Sequence, residues 1–233
     1  MKHSIACCLL ALGAAACGTE TATVSGDAFH FNEGVDARVA GARVFVLEDP
    51  DVSTTTDATG HFVLEGLPVG SDVTLVMDHP DFIPIQTGTI ALPAAGAELV
   101  TFQAVPPGVR DVLASLLEIE VDPERCQMVT TVTRVGRSLY DPGAHGEAGV
   151  TVTIDPPLPE SSGPIYFNSM VVPDRTLTET SDDGGVLFVN VPPGDYTWTA
   201  HADDGRAFTQ VRMTCRAGLL VNASPPWGLQ RVE

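Results

Sequence analysis

The fold is indicated by residues 56–70, which read Thr-Asp-Ala-Thr-Gly-His-Phe-Val-Leu-Glu-Gly-Leu-Pro-Val-Gly. The first five residues predict a tight turn, because the side chain of Asp57 can bond its own backbone and Gly60 tolerates a positive φ. The next five alternate between apolar and polar residues, which predicts a strand with one buried face. A second turn, rich in Gly and Pro, follows. Short strands separated by such turns are typical of a β-sandwich.

The same pattern occurs a second time in the chain. Residues 60–70 fit Gly-x-Phe-x-Leu-x-x-Leu-Pro-x-Gly, and residues 184–194 fit Gly-x-Val-x-Phe-x-x-Val-Pro-x-Gly. Upstream, Ala-Gly-Ala-Arg-Val at 40–44 is repeated as Ala-Gly-Val-Thr-Val at 148–152. The second copy is longer by about 16 residues, which fall in 156–175. An insertion on a repeated scaffold is a common place for function, although a longer hairpin explains it equally well.

These residues resemble the carboxypeptidase regulatory-like domain, a transthyretin-like sandwich of the carbohydrate-binding-like group. The resemblance is carried by residues 41–44, 56–62 and 67–70, and it covers about 22–105 and, less closely, 126–223. In the second copy Ser181 stands in place of the turn Asp, and Val186 in place of Phe. The family motif builds turns and core. It implies a fold and an extracellular accessory domain, and it carries no catalytic residue.

We therefore predict an all-β protein of two Ig- or transthyretin-like β-sandwich modules joined by a short helix. The predicted segments are a first module at 23–105, a linker helix at 106–123, and a second module at 124–233 with an insertion at about 156–175 and an extended tail. The helix is predicted over Val109 to Val121, because apolar residues recur there at helical spacing. We expect it to pack on a module; a partner-binding helix is the alternative.

The N-terminus has the pattern of an export signal. Lys2 precedes an apolar run from Ile5 to Ala16, and residues 14–17, Ala-Ala-Ala-Cys, resemble a bacterial lipobox. In that family the cysteine becomes the lipidated first residue of the mature protein. We predict a signal peptide at 1–16, lipidation at Cys17, a tether at 17–22 and an exported protein that is lipid-anchored in the cell envelope. The outer membrane is favoured because Gly18 is not Asp; secretion after ordinary cleavage is the alternative.

Charge and cysteine content limit the function further. The net charge is −18, and such a surface repels a polyanion, which argues against a nucleic-acid partner. Two cysteines, Cys126 and Cys215, remain in the body of the mature chain. An oxidising compartment favours a disulfide between them; two separate buried thiols are the alternative.

Catalytic and metal-binding motifs are missing from the sequence. There is no Gly-x-Ser-x-Gly, no His-Glu-x-x-His and no phosphate- or dinucleotide-binding Gly-rich loop. We predict no enzyme, no cofactor and no metal site. A metal-dependent enzyme that uses His145, His201 and nearby Asp residues is the alternative. The acidic pairs of the chain are expected to form hairpin turns.

Four aromatic residues are the candidate ligand-binding residues: Tyr166 in the insertion, Tyr196 and Trp198 on one face of a strand, and Trp227 in the Pro-rich tail. Such rings could stack on a sugar, which makes carbohydrate binding an alternative function. Packing of Tyr196 and Trp198 in the core, and of Trp227 on the second module, is the structural alternative. The leading hypothesis is a non-enzymatic envelope lipoprotein that acts as a binding or scaffolding module. Its partners would be the membrane, through the lipid, and an unknown envelope protein or glycan.

Overall fold

The computed structural model describes residues 19–143 and 145–232. The predicted signal peptide and the lipidation site at Cys17 lie outside the described residues. Within them, no helix has the length and apolar character needed to cross a membrane.

The described residues form strands and one short helix. The strands are β1 Thr21–His30, β2 Arg43–Val46, β3 Ser53–Thr55, β4 His61–Pro68, β5 Asp72–Val73, β6 Leu75–Asp78, β7 Ile85–Gln86, β8 Ile90–Ala91, β9 Ala97–Ala104, β10 Cys126–Thr133, β11 Thr151–Asp155, β12 Ile165–Phe167, β13 Pro173–Asp174, β14 Gly185–Val191, β15 Gly194–His201, β16 Val211–Cys215, β17 Leu220–Ala223 and β18 Leu229–Gln230; the helix is α1 Pro107–Leu116. The predicted all-β fold of two sandwich modules joined by a helix is confirmed.

The two modules share one strand arrangement. In the first module, β1 pairs antiparallel with β4 and parallel with β9. In the second module, β10 pairs antiparallel with β14 and parallel with β17. The repeat that is visible in the sequence is therefore a repeat of topology.

A buried threonine holds the same turn in both modules. The Thr56 hydroxyl accepts a hydrogen bond from the Ala42 amide at 2.9 Å and donates to the Val39 carbonyl at 2.8 Å. Thr180 makes the same two bonds in the second module, at 3.0 and 2.6 Å. Each hydroxyl satisfies a backbone donor and acceptor that the strands leave unpaired, which explains the value of threonine at this position.

Each module has its own apolar core. Phe62 and Phe102 are fully buried in the first. In the second, the rings of Phe188 and Trp198 meet edge to face with centroids 4.8 Å apart. The predicted Cys126–Cys215 disulfide is confirmed, with the two Cα atoms 5.8 Å apart. It connects β10 to β16 and so joins the two sheets of the second module.

The modules are fused along a strand edge. β17 of the second module pairs in parallel with β7 of the first, in the register Leu220 to Ile85 and Val221 to Gln86. The result is one sheet in the order β13-β12-β14-β10-β17-β7-β6-β2-β3, with β18 beside β10. β7 and β8 are separate short strands, and β7 supplies the junction.

Side chains also cross the junction. The Arg212 guanidinium of β16 binds the Asp72 carboxylate of β5, with Nη1 and Oδ2 2.7 Å apart. The Gln86 amide donates to the Thr214 carbonyl at 2.5 Å. Both contacts join residues more than a hundred positions apart, so the junction is a specific interface between the modules.

The helix is shorter than predicted at its C-terminal end. It begins at Pro107, where a proline costs no hydrogen bond, and it ends at Leu116. Glu118 takes a left-handed conformation with φ of 55°, which turns the chain and directs Ile119 back toward the sheet. The helix packs through Ala114 and the adjoining Leu117, which are buried, whereas Val112 and Leu116 are 61% and 59% exposed.

Candidate functional site

An apolar cleft of about 380 Å³ lies between the helix and the second module. We call it the helix cleft. Its walls are apolar residues of both modules and of the linker: Phe31, Ile83, Val105, Leu113, Ala114, Leu117, Ile119, Val121, Pro123, Val129, Phe167, Pro173, Leu187, Val189, Leu219 and Leu220. Its size is at the lower end of the roughly 300–1,000 Å³ that is usual for ligand pockets.

The floor of the helix cleft is the outer face of the sheet β14-β10-β17. At the matching positions of the first module, which the shared register defines, that face carries Ser25 and Glu65. The second module has Val129 and Val189 there instead. Val63 of the first module and Leu187 of the second are apolar at the position between them, so the face is mixed in the first copy and apolar along β10 and β14 in the second. An apolar outer face is needed only where something covers it.

Elements that the repeat does not account for build the cover. The predicted insertion at 156–175 contains β12 and β13, which extend the sheet beyond β14 and place Phe167 and Pro173 in the wall. The helix and the segment after it form the opposite side. The cleft is therefore the feature that distinguishes the second module from the first.

Asn190 holds the segment after the helix in place. Its side-chain oxygen accepts hydrogen bonds from the Asp122 amide at 3.0 Å and from Gln127 at 3.1 Å, while its side-chain nitrogen donates to the Glu120 carbonyl at 2.8 Å. Asn190 has a φ of 50°, and the matching residue of the first module is Gly66 with a φ of 75°. Asparagine tolerates this left-handed turn and adds a side chain that fixes the linker.

The charged groups at the rim are already paired. Arg110 binds Asp111 at 2.7 Å and Arg125 binds Asp122 at 3.1 Å. One polar side chain inside the cleft is different. Asn222 is only 8% exposed, and its carboxamide makes no hydrogen bond to any residue in 19–143 or 145–232. Because this amide lines the open cleft, it is available to accept a hydrogen bond from, or donate one to, a bound molecule.

Three of the four predicted ligand-binding aromatics lie in the core. Trp198 is fully buried, and Tyr166 and Tyr196 are also buried. The Tyr166 hydroxyl accepts from the Val152 amide at 3.1 Å, and the Tyr196 hydroxyl donates to the Pro192 carbonyl at 3.0 Å. Burial raises the pKa of both phenols. These rings cannot stack on a sugar at the surface, because one strand face is the module's core.

Trp227 packs on the first module, whereas the packing alternative placed it on the second. Its ring is partly buried against the first core, and its indole nitrogen donates to the Glu98 carbonyl at 2.7 Å. The tail therefore crosses the junction and fastens the second module to the first. The sequence indicated that Trp227 could anchor the tail, but not that it would pack on the first module.

The histidines of the metal-enzyme alternative are not brought together with other ligands. Among residues 19–143 and 145–232, no group of three or more His, Cys, Asp or Glu is placed to hold a metal ion. His201 contacts the Thr153 hydroxyl at 3.0 Å, and burial lowers the pKa of His145. Carboxylates of the acidic pairs serve turns, as expected. Asp183 accepts from the Gly185 amide at 3.1 Å, and Asp204 binds Arg206 at 2.8 Å.

A polar cluster at the module boundary was missed by sequence reasoning. Asp27 of β1 binds Arg38 at 2.9 Å and His61 at 3.1 Å, and it accepts a hydrogen bond from Tyr140 of the second module. Burial, followed by the nearby Asp27 carboxylate, raises the pKa of Tyr140. The cluster fixes the loop after β10 onto the first module. Nothing in its sequence spacing, 113 residues between Asp27 and Tyr140, could have revealed it.

No family model matches the chain, and no curated protein matches it. Solved structures to which it is similar include the Bacillus anthracis TIE protein, at 13% identity with a TM-score of 0.30, covering 91% of this chain and 34% of that one. The chain thus spans about a third of the TIE protein. Two others are GBS52, the minor pilin of Streptococcus agalactiae, at 12% identity and a TM-score of 0.29, and a double mutant of the shaft pilin SpaA of Lactobacillus rhamnosus GG, at 12% identity and a TM-score of 0.25. Each covers 91% of this chain and 97% of the other.

Proposed function

We propose that this chain is a non-enzymatic module of the cell envelope that binds or positions another envelope component. The observation that carries the proposal is the helix cleft, a covered apolar recess on the second module. Many of the described polar side chains act in turns, at the module junction or, like Asn190, in holding the segment after the helix. The residues that line the cleft do not include a nucleophile next to a general base, which covalent catalysis requires.

The proposed anchor is a lipid on Cys17, and the proposed location is the outer membrane. The lipobox-like residues 14–17 support the anchor. The first strand begins at Thr21, so only a few residues would separate the lipid from the first module. Membership of the carboxypeptidase regulatory-like family is part of the same proposal. The two matching turn motifs support it, because each is built on the same buried threonine.

The anchor is tested by fractionation and intact mass of the protein from its native host. We expect the wild-type chain in the membrane fraction, with an acyl-modified mass that starts at Cys17. We expect Cys17→Ala to lose both. Cys8→Ala, a cysteine inside the proposed signal peptide, is the matched control and should behave as wild type. An unmodified chain that remains in the membrane fraction would overturn the lipid anchor.

The binding role is tested in intact cells with a photo-cross-linking amino acid. One variant carries it at Leu116, on the helix beside the cleft, and the control carries it at Val63, on the outer face of the first module. We expect a discrete adduct from Leu116 only. The absence of adducts at both positions, or equal adducts at both, would contradict a partner at the helix side.

Carbohydrate binding through stacked aromatics is not carried forward, because Tyr166, Tyr196 and Trp198 are buried and Trp227 packs against the core of the first module.

A further inference from the structure

We propose that the helix cleft binds a small neutral molecule with an aliphatic body and one hydrogen-bonding group, such as a medium-chain alcohol or amide, and that Asn222 recognises that group. The inference deepens the proposed binding role and rests on it for the setting in which such a molecule is encountered. It names the ligand class and the recognising residue.

The shape and lining of the site indicate an aliphatic body. The walls are formed by Ile, Leu and Val side chains, with Phe31 and Phe167 as the aromatic contributors. A molecule that fills the cleft would remove from water apolar surface that the protein leaves exposed to it, which is favourable by about 25 cal/mol per Å². A sugar or nucleotide would leave most of its polar groups unpaired against these walls.

Asn222 indicates that the ligand also has a polar group. On β17, Val221 and Ala223 point into the core, so Leu220 and Asn222 point into the cleft. The neighbouring amides have partners: Gln127 is bonded to Asn190 in both directions, at 3.1 and 2.9 Å. Asn222 has none within the described chain, although it is more than nine-tenths buried. A carboxamide can both donate and accept, which suits a hydroxyl, an amide or an ester.

Charge argues for a neutral ligand. The guanidinium groups of Arg110 and Arg125 each pair with an aspartate, so neither is left unpaired to bind the carboxylate of a ligand. The protein carries a net charge of −18, which repels anionic amphiphiles. An ammonium group would have no carboxylate inside the cleft, because Asp122 already pairs with Arg125 at the rim.

The test uses the purified full mature chain and the neutral fluorescent probe N-phenyl-1-naphthylamine, displaced by decan-1-ol, decanoate or decylamine. We expect saturable probe fluorescence and displacement by decan-1-ol at lower concentrations than by the two charged competitors. No saturable probe binding, or equal displacement by all three, would overturn the proposal. The assay needs no lipid anchor, so its failure is distinguishable from failure of the envelope location.

Three variants locate the site. Leu113→Trp fills the cleft from the helix and should abolish probe binding. Leu116→Trp adds the same side chain to the exposed side of the same helix and should leave it unchanged. Asn222→Leu should retain the probe but bind decan-1-ol roughly threefold to tenfold more weakly, the range for one neutral hydrogen bond. Equal effects of the two tryptophans, or unaltered decan-1-ol binding by a folded Asn222→Leu chain, would refute the site.

Discussion

Loss of the Cys126–Cys215 disulfide should destabilise the protein by several kcal/mol. The bridge joins residues 89 positions apart. In the chain-entropy treatment, a closed loop of that length removes enough freedom from the unfolded chain to contribute about 4.6 kcal/mol at 25 °C. Both cysteines are buried, so replacement by alanine adds a cavity cost of roughly 1 kcal/mol. We therefore expect Cys126→Ala/Cys215→Ala to lose about 4–6 kcal/mol of unfolding free energy.

The assay is urea unfolding at neutral pH, followed by the fluorescence of the buried Trp198. Wild type is measured with and without a reductant, and the double variant likewise. The reduced wild type isolates the entropic part, since it keeps both sulfur atoms in the core. We expect the reductant to lower the unfolding free energy of the wild type and to leave that of the double variant unchanged. A loss below about 1 kcal/mol on reduction would refute the reasoning that the bridge constrains the unfolded chain.

Three further perturbations test the contacts around the second core and the junction. Asp183→Asn should be more stable than wild type at pH 7, because burial raises the pKa of Asp183 and the folded state penalises its charged form. This advantage in stability should shrink as the pH falls through the raised pKa toward the ordinary value for Asp. Thermal unfolding of both proteins between pH 3 and 8 measures it. Glu147→Leu should cost about 1.5 kcal/mol in chemical unfolding, since it removes the bonds to Arg206, at 2.7 Å, and Arg231, at 3.3 Å, while Arg206 keeps its pair with Asp204 and Arg231 is 42% exposed; no measurable loss would contradict this. Trp227→Ala should cost about 2 kcal/mol, and Trp227→Phe, which removes the bond to Glu98 but keeps an aromatic ring, about 1 kcal/mol; equal losses would assign the effect to that bond alone.

The local architecture was predictable because its causes are local. Gly60 and Gly184, with φ of 74° and 76°, end the turns that the repeated motif predicts. Alternation along residues 61–65 gives β4 its one buried face. The pairing of Cys126 with Cys215 followed from the small number of cysteines in the mature body.

The junction and the site were not predictable, because they depend on distant parts of the chain. β7 is two residues long, and its partner β17 lies more than 130 positions away. The apolar stripe of the helix suggested one packed face. In the structure Leu113 and Leu117 face the cleft while Val112 and Leu116 remain exposed, so the spacing alone did not separate the two. Asn222 was not among the candidate ligand-binding residues, and the aromatic pair Tyr196 and Trp198 suggested a surface that the fold buries.

A signal for the helix cleft did exist in the sequence. Aligning the two copies matches Val129 with Ser25 and Val189 with Glu65, so two outward positions that are polar in the first copy are apolar in the second. That change, together with the insertion at 156–175, indicates a covered face. Comparing matching outward positions of internal repeats is the step that would have found it.

The central claim is that the two sandwiches form one body, held by the β7–β17 pairing, the Asp72–Arg212 ion pair and the Trp227 anchor. Differential scanning calorimetry of the full mature chain tests it most directly. We expect one transition whose calorimetric enthalpy equals its van't Hoff enthalpy, because neither module can unfold without exposing the shared sheet edge. Two separate transitions, or a calorimetric enthalpy well above the van't Hoff value, would contradict it and would describe two independent domains.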